Sequence, residues 1–191
     1  VNIGSSESCE NGVELAINFD TGINQAVTHL LALRHERIGL INGDPAFPGM
    51  ARRLKAYRKS LAEFGVTFRK EYVRIVDNAK GCFEEARRHT KALLRQANPP
   101  TAILYVTDEL AIHAMQALRA QACRIPDDLS VIGFDNVAAG TYSIPSLSTI
   151  GVDYVELASA CVEELEKLIS GKAVPSELRL DTKYVKRESV N

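Results

Sequence analysis

A run of apolar residues that closes on turn formers, followed by a helix-period stretch, recurs four times along this chain at nearly equal spacing. The runs are Arg37 to Ile41, Tyr72 to Val76, Ala102 to Val106 and Leu129 to Phe134. Their apolar starts at 38, 72, 102 and 129 lie roughly 30 residues apart, the length of a βαβ unit. Runs that are apolar at every position, rather than at alternate ones, read as strands covered on both faces. Between them the apolar positions take helix spacing: Leu54, Tyr57, Leu61 and Phe64, then Ala86, Leu93, Leu94 and Ala97, then Ala111, Ala114, Met115 and Leu118. Strand and helix alternating in this rhythm predict an α/β fold with a doubly wound parallel sheet.

The flanks join this pattern less directly. Val13, Leu15 and Ile17 alternate as a strand, and Asp20 or Thr21 can cap a helix with Ile23, Ala26, Val27, Leu30 and Leu31 on one face. Near the other end Asp153 can cap a helix with Val155, Ala158, Val162, Leu165 and Ile169 facing inward, which Gly171 stops. Leu178, Leu180 and Tyr184 suggest a last, half-exposed strand. A strand and two helices are too few to close a second sheet, so they cover the first sheet or belong to a second lobe lying partly outside the chain. Val1 to Gly4 reads as the end of a strand with no start methionine before it, as expected of a piece cut from something longer.

Composition excludes several function classes. With 46% apolar and 25% charged residues in 191, the chain can bury a sizeable core, and disorder is not expected. The 23 basic and 24 acidic side chains, net charge −1, give no electrostatic footprint for phosphate backbones, so the chain alone is not expected to bind DNA. Runs as short as Ala102 to Val106 cannot cross a bilayer. Cys9, Cys82, Cys123 and Cys161 fall in four separate segments without C-x-x-C spacing; this speaks against a zinc site or redox pair and for a reduced, cytoplasmic chain.

In an open parallel sheet the ligand crevice lies outside the carboxyl ends of the strands. Here those ends carry Asn42 and Asp44, Asp77 and Asn78, Thr107 and Asp108, and Asp135 and Asn136. Each aspartate also fits a plain role as helix cap or turn former. Asp108 fits that role best, because a helix begins there at once, and Asp135 least, since Val137 to Pro145 shows no helix pattern that needs it. Arg53 falls in the expected first turn of its helix, where the macrodipole disfavours a cation. Arg52, Arg53, Lys55, Arg58 and Lys59 together can be a solvated face, but Arg53 precedes an inward leucine near the crevice mouth. An acid and an arginine facing each other across a neutral polyol would accept and donate hydroxyl hydrogen bonds in pairs, which suits a sugar.

Enzymatic signatures are missing from the sequence. No G-x-G-x-x-G follows the first strand, and neither a G-x-x-x-x-G-K-[ST] loop nor a G-x-S-x-G elbow occurs. His29, His35, His89 and His113 have no i+4 histidine partner. No cofactor, no metal ligand set and no catalytic residue are expected.

The stretch from Asp20 to Gly43, with Ala26, His29, Leu30, Leu33, His35, Arg37, Ile38 and Ile41 at the matching spacing, resembles the D-N-x-x-G/A…A-x-x-H-L-x-x-L-G-H-x-R-I-x-x-I-x-G signature of the lactose-repressor (LacI/GalR) type of bacterial transcription regulators. Further matches follow in order: Arg53 and Leu54 with Tyr57, Pro99 to Ile103, Thr107 to Ala111, Ile125 to Asp135, and Pro145 to Ile150. The similarity runs over essentially the whole chain. It departs at Arg34, where the family usually has Gly, at Ala56, again in place of Gly, and at Thr107, where Asn is frequent.

The resemblance implies a two-lobed effector-binding core like that of periplasmic sugar-binding proteins, joined in the intact regulator to an N-terminal helix-turn-helix headpiece outside this chain, through which alone operator DNA would be bound. It assigns residues 1–35 to the end of a first lobe, 36–144 to a complete second lobe, 145–177 to a crossover and a helix of the first, and 178–191 to a strand returning to the second. It implies that Arg53 and Asp135 bind effector hydroxyls, that Thr107 and Asp108 line the crevice floor, and that Phe83 is the nearest ring to the place where an aromatic stacks on the effector. Phe47 and Gly49 lack the polar side chains of the purine-responsive branch, which favours a carbohydrate. A cytoplasmic homodimer is implied, without membrane contact. Two alternatives remain at this point: the substrate-binding protein of a sugar transport system, and a metal-dependent hydrolase or phosphotransfer domain using Asp44, Asp108 and Asp135.

Overall fold

The computed structural model describes residues 1–3, 12–77 and 82–191. Their strands form two sheets. The larger follows from the four apolar runs: β3 (Ile38–Gly43), β4 (Val73–Val76), β5 (Ala102–Tyr105) and β6 (Ser130–Phe134), extended by β7 (Ser148–Gly151) and β9 (Lys183–Val185). The order is β4-β3-β5-β6-β7-β9, with β9 antiparallel to β7 and every other pair parallel. The smaller sheet pairs β1 (Asn2–Ile3), β2 (Glu14–Asn18) and β8 (Glu177–Asp181) in the order β1-β2-β8, all parallel.

Both faces of the large sheet are covered, as the apolar runs predict. Ile38, Leu40, Leu104, Ile132 and Phe134 pack beneath α1 (Phe19–Ala32) and α2 (Pro48–Glu63). Ile41, Ile103, Tyr105 and Val131 point the other way, against α3 (Cys82–Leu94) and α4 (Asp108–Arg119). Burying a leucine or isoleucine in such a layer contributes about 1.5–3 kcal/mol, so the alternation along each strand holds the helices on their two sides.

Several elements differ from the sequence reading. α1, expected with the first lobe, lies on the large sheet: Ile23, Ala26, Val27 and Leu30 are fully or almost fully buried against it, because the adjacent strands offer an equally apolar face. β7, within the stretch expected as crossover, is an interior strand of the large sheet, between β6 and the edge strand β9. The single strand expected from 178 onward divides into β8 on the small sheet and β9 on the large one. A short helix, α5 (Ala138–Tyr142), occupies the segment that showed no helix pattern. α6 (Tyr154–Ile169) begins as predicted, with the Asp153 carboxylate accepting from the amides of Val155 and Glu156. Its inward face is not the expected one: Leu157, Ala160, Cys161 and Leu168, a second stripe at helix spacing, cover the small sheet, so Val155, Val162, Leu165 and Ile169, expected inward, face solvent. Cys82, Cys123 and Cys161 are free thiols; Cys9 and Asn78 lie outside the described residues.

The chain passes between the two sheet layers three times, from β2 to α1, from β7 to α6 and from β8 to β9. Two of these passages are stitched together. The Thr182 hydroxyl, fully buried, donates to the carbonyl of Asn18 at 2.9 Å and accepts from the amide of Gly22 at 3.0 Å. Asn18 Nδ2 donates to Asp181 Oδ1 at 2.7 Å. A Cβ on Gly22 would stand 2.5 Å from the Thr182 oxygen, so only glycine admits this approach.

Candidate functional site

The carboxyl ends of β3, β5 and β6 bring three polar segments together, and Arg53 reaches them from α2. The helix starts earlier than expected, with Pro48 as its first residue and Phe47 as a cap without a side-chain bond. Arg53 therefore lies in the second turn, where the macrodipole matters little. What distinguishes it is burial. Its side chain is only 12% exposed, with the guanidinium carbon 4.1 Å from the Phe134 ring centroid and 4.9 Å from that of Phe19. Nη1 donates to the carbonyl of Val106 at 2.5 Å, and Nη2 stands 3.5 Å from Asp135 Oδ1. Nε is buried with no hydrogen-bond partner among the described residues. Burial lowers the pKa of Arg53, against the opposing pull of Asp135.

Asp135 sits at φ 106° and Asn136 at φ 55°, a left-handed pair without glycine. Such backbone costs of order 1–3 kcal/mol and persists only where surrounding contacts impose it. Here the Asp135 amide donates to Ile150 O at 2.7 Å, and Arg187 Nη2 donates to Asn136 Oδ1 at 2.7 Å. The strained turn aims the Asp135 carboxylate at Arg53. Burial pushes that carboxyl up to about 6 despite the arginine, helped by the negative charges of Asp108 and Glu109. Desolvation thus outweighs the ion pair, as a 3.5 Å contact without direct hydrogen bonding allows.

Asp108 is not open to a ligand. The residue is fully buried, Oδ1 accepts from the Thr149 hydroxyl at 2.5 Å, and Oδ2 accepts from the amide of Val137 at 2.8 Å. It fits only because residue 133 is glycine: a Cβ there would run into its carboxylate. Asp108 ties β6, β7 and the start of α5 together behind the crevice. Burial raises its pKa, and the bonds from Thr149 and Val137 oppose the rise. Nor is it the cap of α4; Thr107 is, its hydroxyl accepting from the amide of Leu110 at 3.2 Å while the residue stays half-buried. Phe83 stacks on His113, ring centroids 4.1 Å apart; the rings facing Arg53 are Phe134 and Phe19 instead. Asp44 spends a carboxylate oxygen on the amide of Ala46, and among the described residues no group of three or more His, Cys, Asp or Glu could hold a metal ion.

Two further contributors were not singled out as site residues from the sequence, Asn42 being noted only for its strand-end position. Tyr154, the first residue of α6, is 54% exposed and donates from its hydroxyl to the Asp135 carbonyl at 2.9 Å. Asn42 is fully buried at the end of β3, with Nδ2 donating to Met50 O at 3.0 Å and Oδ1 without a partner among the described residues. Neither carries a motif. The position of Asn42 at a strand end was its only signal, and Tyr154 gave none.

A strained acid and a buried arginine thus meet at the carboxyl edge of a doubly wound α/β sheet, the edge at which such folds take ligands. A family model for a periplasmic binding protein-like domain matches residues 27–190, and the chain belongs to that family. Its relatives there are LacI-type transcriptional repressors, as the signature from Asp20 to Gly43 implied. The ribose operon repressor of Haemophilus influenzae is 32% identical over 184 residues, 94% of this chain and 54% of the repressor. Among solved structures, a regulatory protein of the LacI family from Chloroflexus aggregans is 27% identical with a TM-score of 0.88, covering 99% of this chain and 67% of that one. The lac repressor dimer bound to operator and the anti-inducer ONPF is 29% identical with a TM-score of 0.79, covering 93% of this chain and 60% of its own. The chain spans about half the length of the curated relatives it matches.

Proposed function

We propose that this chain is the effector-sensing part of a bacterial transcription repressor, and that its effector is a neutral sugar held by Arg53 and Asp135. The observation that carries this reading is the pair itself, one group able to donate and the other to accept, at the sheet edge where such folds take ligands. Because Asp135 already answers the charge of Arg53, and Asp108 adds a further carboxylate behind it, an anionic ligand meets repulsion that a polyol does not. Thr107 and Tyr154 rim the same place, and Asp108 supports it from behind. Binding between the layers shifts the angle between them and thereby the competence of an attached DNA-binding segment. The relatives are regulators rather than enzymes, which supports a sensing role without catalysis. Among the described residues no helix is long and apolar enough to cross a membrane; a cytoplasmic setting follows from the regulatory role.

The same reading includes a homodimer. Tyr142 and Ile144 are 83% and 76% exposed beside Ile112 and Met115 of α4, around a concavity of about 340 Å³, and large exposed apolar patches mark association surfaces. The deciding experiment is calorimetric titration of the intact regulator with neutral mono- and disaccharides and with the matching uronates. Saturable binding of a neutral sugar, lost in Asp135→Asn, is expected. Preference for uronates, or affinity untouched by Asp135→Asn, would remove the assignment.

A further inference from the structure

At the opposite, amino-terminal edge of the large sheet lies an open cleft of about 810 Å³ between the ends of α1 and α2. Its walls include Arg34, Arg37 and Arg69 over an apolar floor of Leu31, Phe64 and Val66. Arg34 stands at φ 66°, a conformation glycine adopts freely and arginine only against a steric cost. The backbone there closes α1, the amides of Arg34 and His35 donating to the carbonyls of Leu31 and Leu30 at 2.9 Å each, but the side chain contributes nothing to this cap: it is exposed, and among the described residues no hydrogen bond or ion pair holds its guanidinium. Arg37 is oriented through one bond, Nε to the carbonyl of Pro99 at 2.8 Å, which leaves both Nη groups free. Arg69 meets a carboxylate only at 4.0 Å, that of Glu71. Phe64 is 46% exposed in the same cleft.

Two helix carboxyl ends face this region, and each carries about half a negative unit, so a single cation would answer them. Among the residues lining the cleft three arginines stand against one carboxylate, Glu36, and Glu71 meets Arg69 from outside it at 4.0 Å. Fork-shaped guanidiniums recognise carboxylates two bonds at a time, and the floor beneath them is apolar. A small free anion would leave most of that floor and volume unused.

We infer that the cleft lined by Arg34, Arg37 and Arg69 is a docking site for an acidic peptide segment of a partner protein, one that alternates carboxylates with apolar side chains. It lies on the edge of the sheet away from Arg53 and Asp135, so the partner and the effector can be bound at once.

The test uses fluorescence anisotropy on the 191-residue chain with three probes: a labelled hexapeptide alternating glutamate and leucine, its lysine–leucine counterpart, and inorganic phosphate as competitor. The acidic peptide is expected to bind, to weaken as salt rises, and to lose at least tenfold in affinity in Arg34→Gly combined with Arg69→Ala. Arg34→Gly is safe for the fold, since glycine suits that backbone; its melting temperature should equal or exceed that of the parent. Absence of binding, equal binding of the lysine peptide, or equal affinity in a well-folded double variant would each overturn the inference. Displacement of the peptide by millimolar phosphate at constant ionic strength would overturn it too, in favour of a small-anion site.

Discussion

The hydroxyl of Tyr154 donates to the backbone carbonyl of Asp135 at 2.9 Å, and this bond joins a helix that covers the small sheet to the turn that ends a strand of the large one. The carboxylate on that turn faces Arg53. The bond makes the start of α6 the nearest part of the small layer to that carboxylate's turn. Tyr154→Phe keeps the ring and removes only the bond, so titration calorimetry should show effector affinity falling a few-fold, consistent with about 1 kcal/mol for one hydrogen bond. Unchanged affinity would detach Tyr154 from the site.

Arg53→Ala and Asp135→Asn should each weaken sugar binding in the intact regulator by more than tenfold, with far-ultraviolet dichroism unchanged. Each change leaves a polar partner unanswered, at roughly 1–3 kcal/mol. If both residues grip one ligand hydroxyl group, the double variant loses less than the sum of the single ones. Strict additivity would place them on separate parts of the ligand.

The Asp135 carboxyl, pushed up to about 6 from 3.8 by burial, gives a signed pH dependence. Accepting hydroxyl hydrogen bonds requires the ionised form, so effector affinity should rise as pH climbs through about 6 and level off above it. Stability runs the other way. The folded protein holds this proton more tightly than the unfolded chain, so Asp135 favours folding at pH values below the unfolded value and loses that contribution as pH rises through the folded one. Asp135→Asn should therefore melt close to the parent near pH 4 and above it at pH 7.5, by roughly 2–4 °C for each kcal/mol regained. Calorimetric melting at the two pH values checks both halves.

Asp108→Ala should cost stability before it costs specificity. It strands the hydroxyl of Thr149 and the amide of Val137 in a buried place, a loss of roughly 1–3 kcal/mol for each, readable as a lower urea midpoint. Asp108→Asn, which can still accept one of the two bonds, should fall between. If both variants keep full stability but lose sugar binding, Asp108 touches the ligand after all.

The purified 191-residue chain should self-associate. Val155, Val162, Leu165 and Ile169 stand between 47% and 78% exposed on α6, and Tyr142 and Ile144 are barer still on average. Sedimentation velocity should show dimers or larger species, shifted toward monomer by Leu165→Glu with Ile169→Glu on one face or by Ile144→Asp on the other. A monomer across the accessible concentration range would contradict this.

The large sheet was legible because its strands are buried on both faces, which writes an unbroken apolar run such as Ala102 to Val106 into the sequence. The last two strands were not. β7 and β9 are only four and three residues long, and in β7 Ser148 and Thr149 are buried through hydrogen bonds rather than apolar contact, so no apolar run marks them. At the site, Arg53 and Asp135 stood out by residue type and strand-end position. The separate tasks of Thr107, as cap, and Asp108, as buried strut, could not be told apart, since both follow the same strand and either oxygen could have made the cap. Phe83 was placed by its neighbourhood in sequence, while its ring is committed to His113.

The three passages between the sheet layers, two of them stitched by Thr182, have a mechanical consequence. Neighbouring tethers of this kind oppose separation of the two layers, so any relative movement of the layers has to be taken up by backbone rotation in the few residues where the chain crosses.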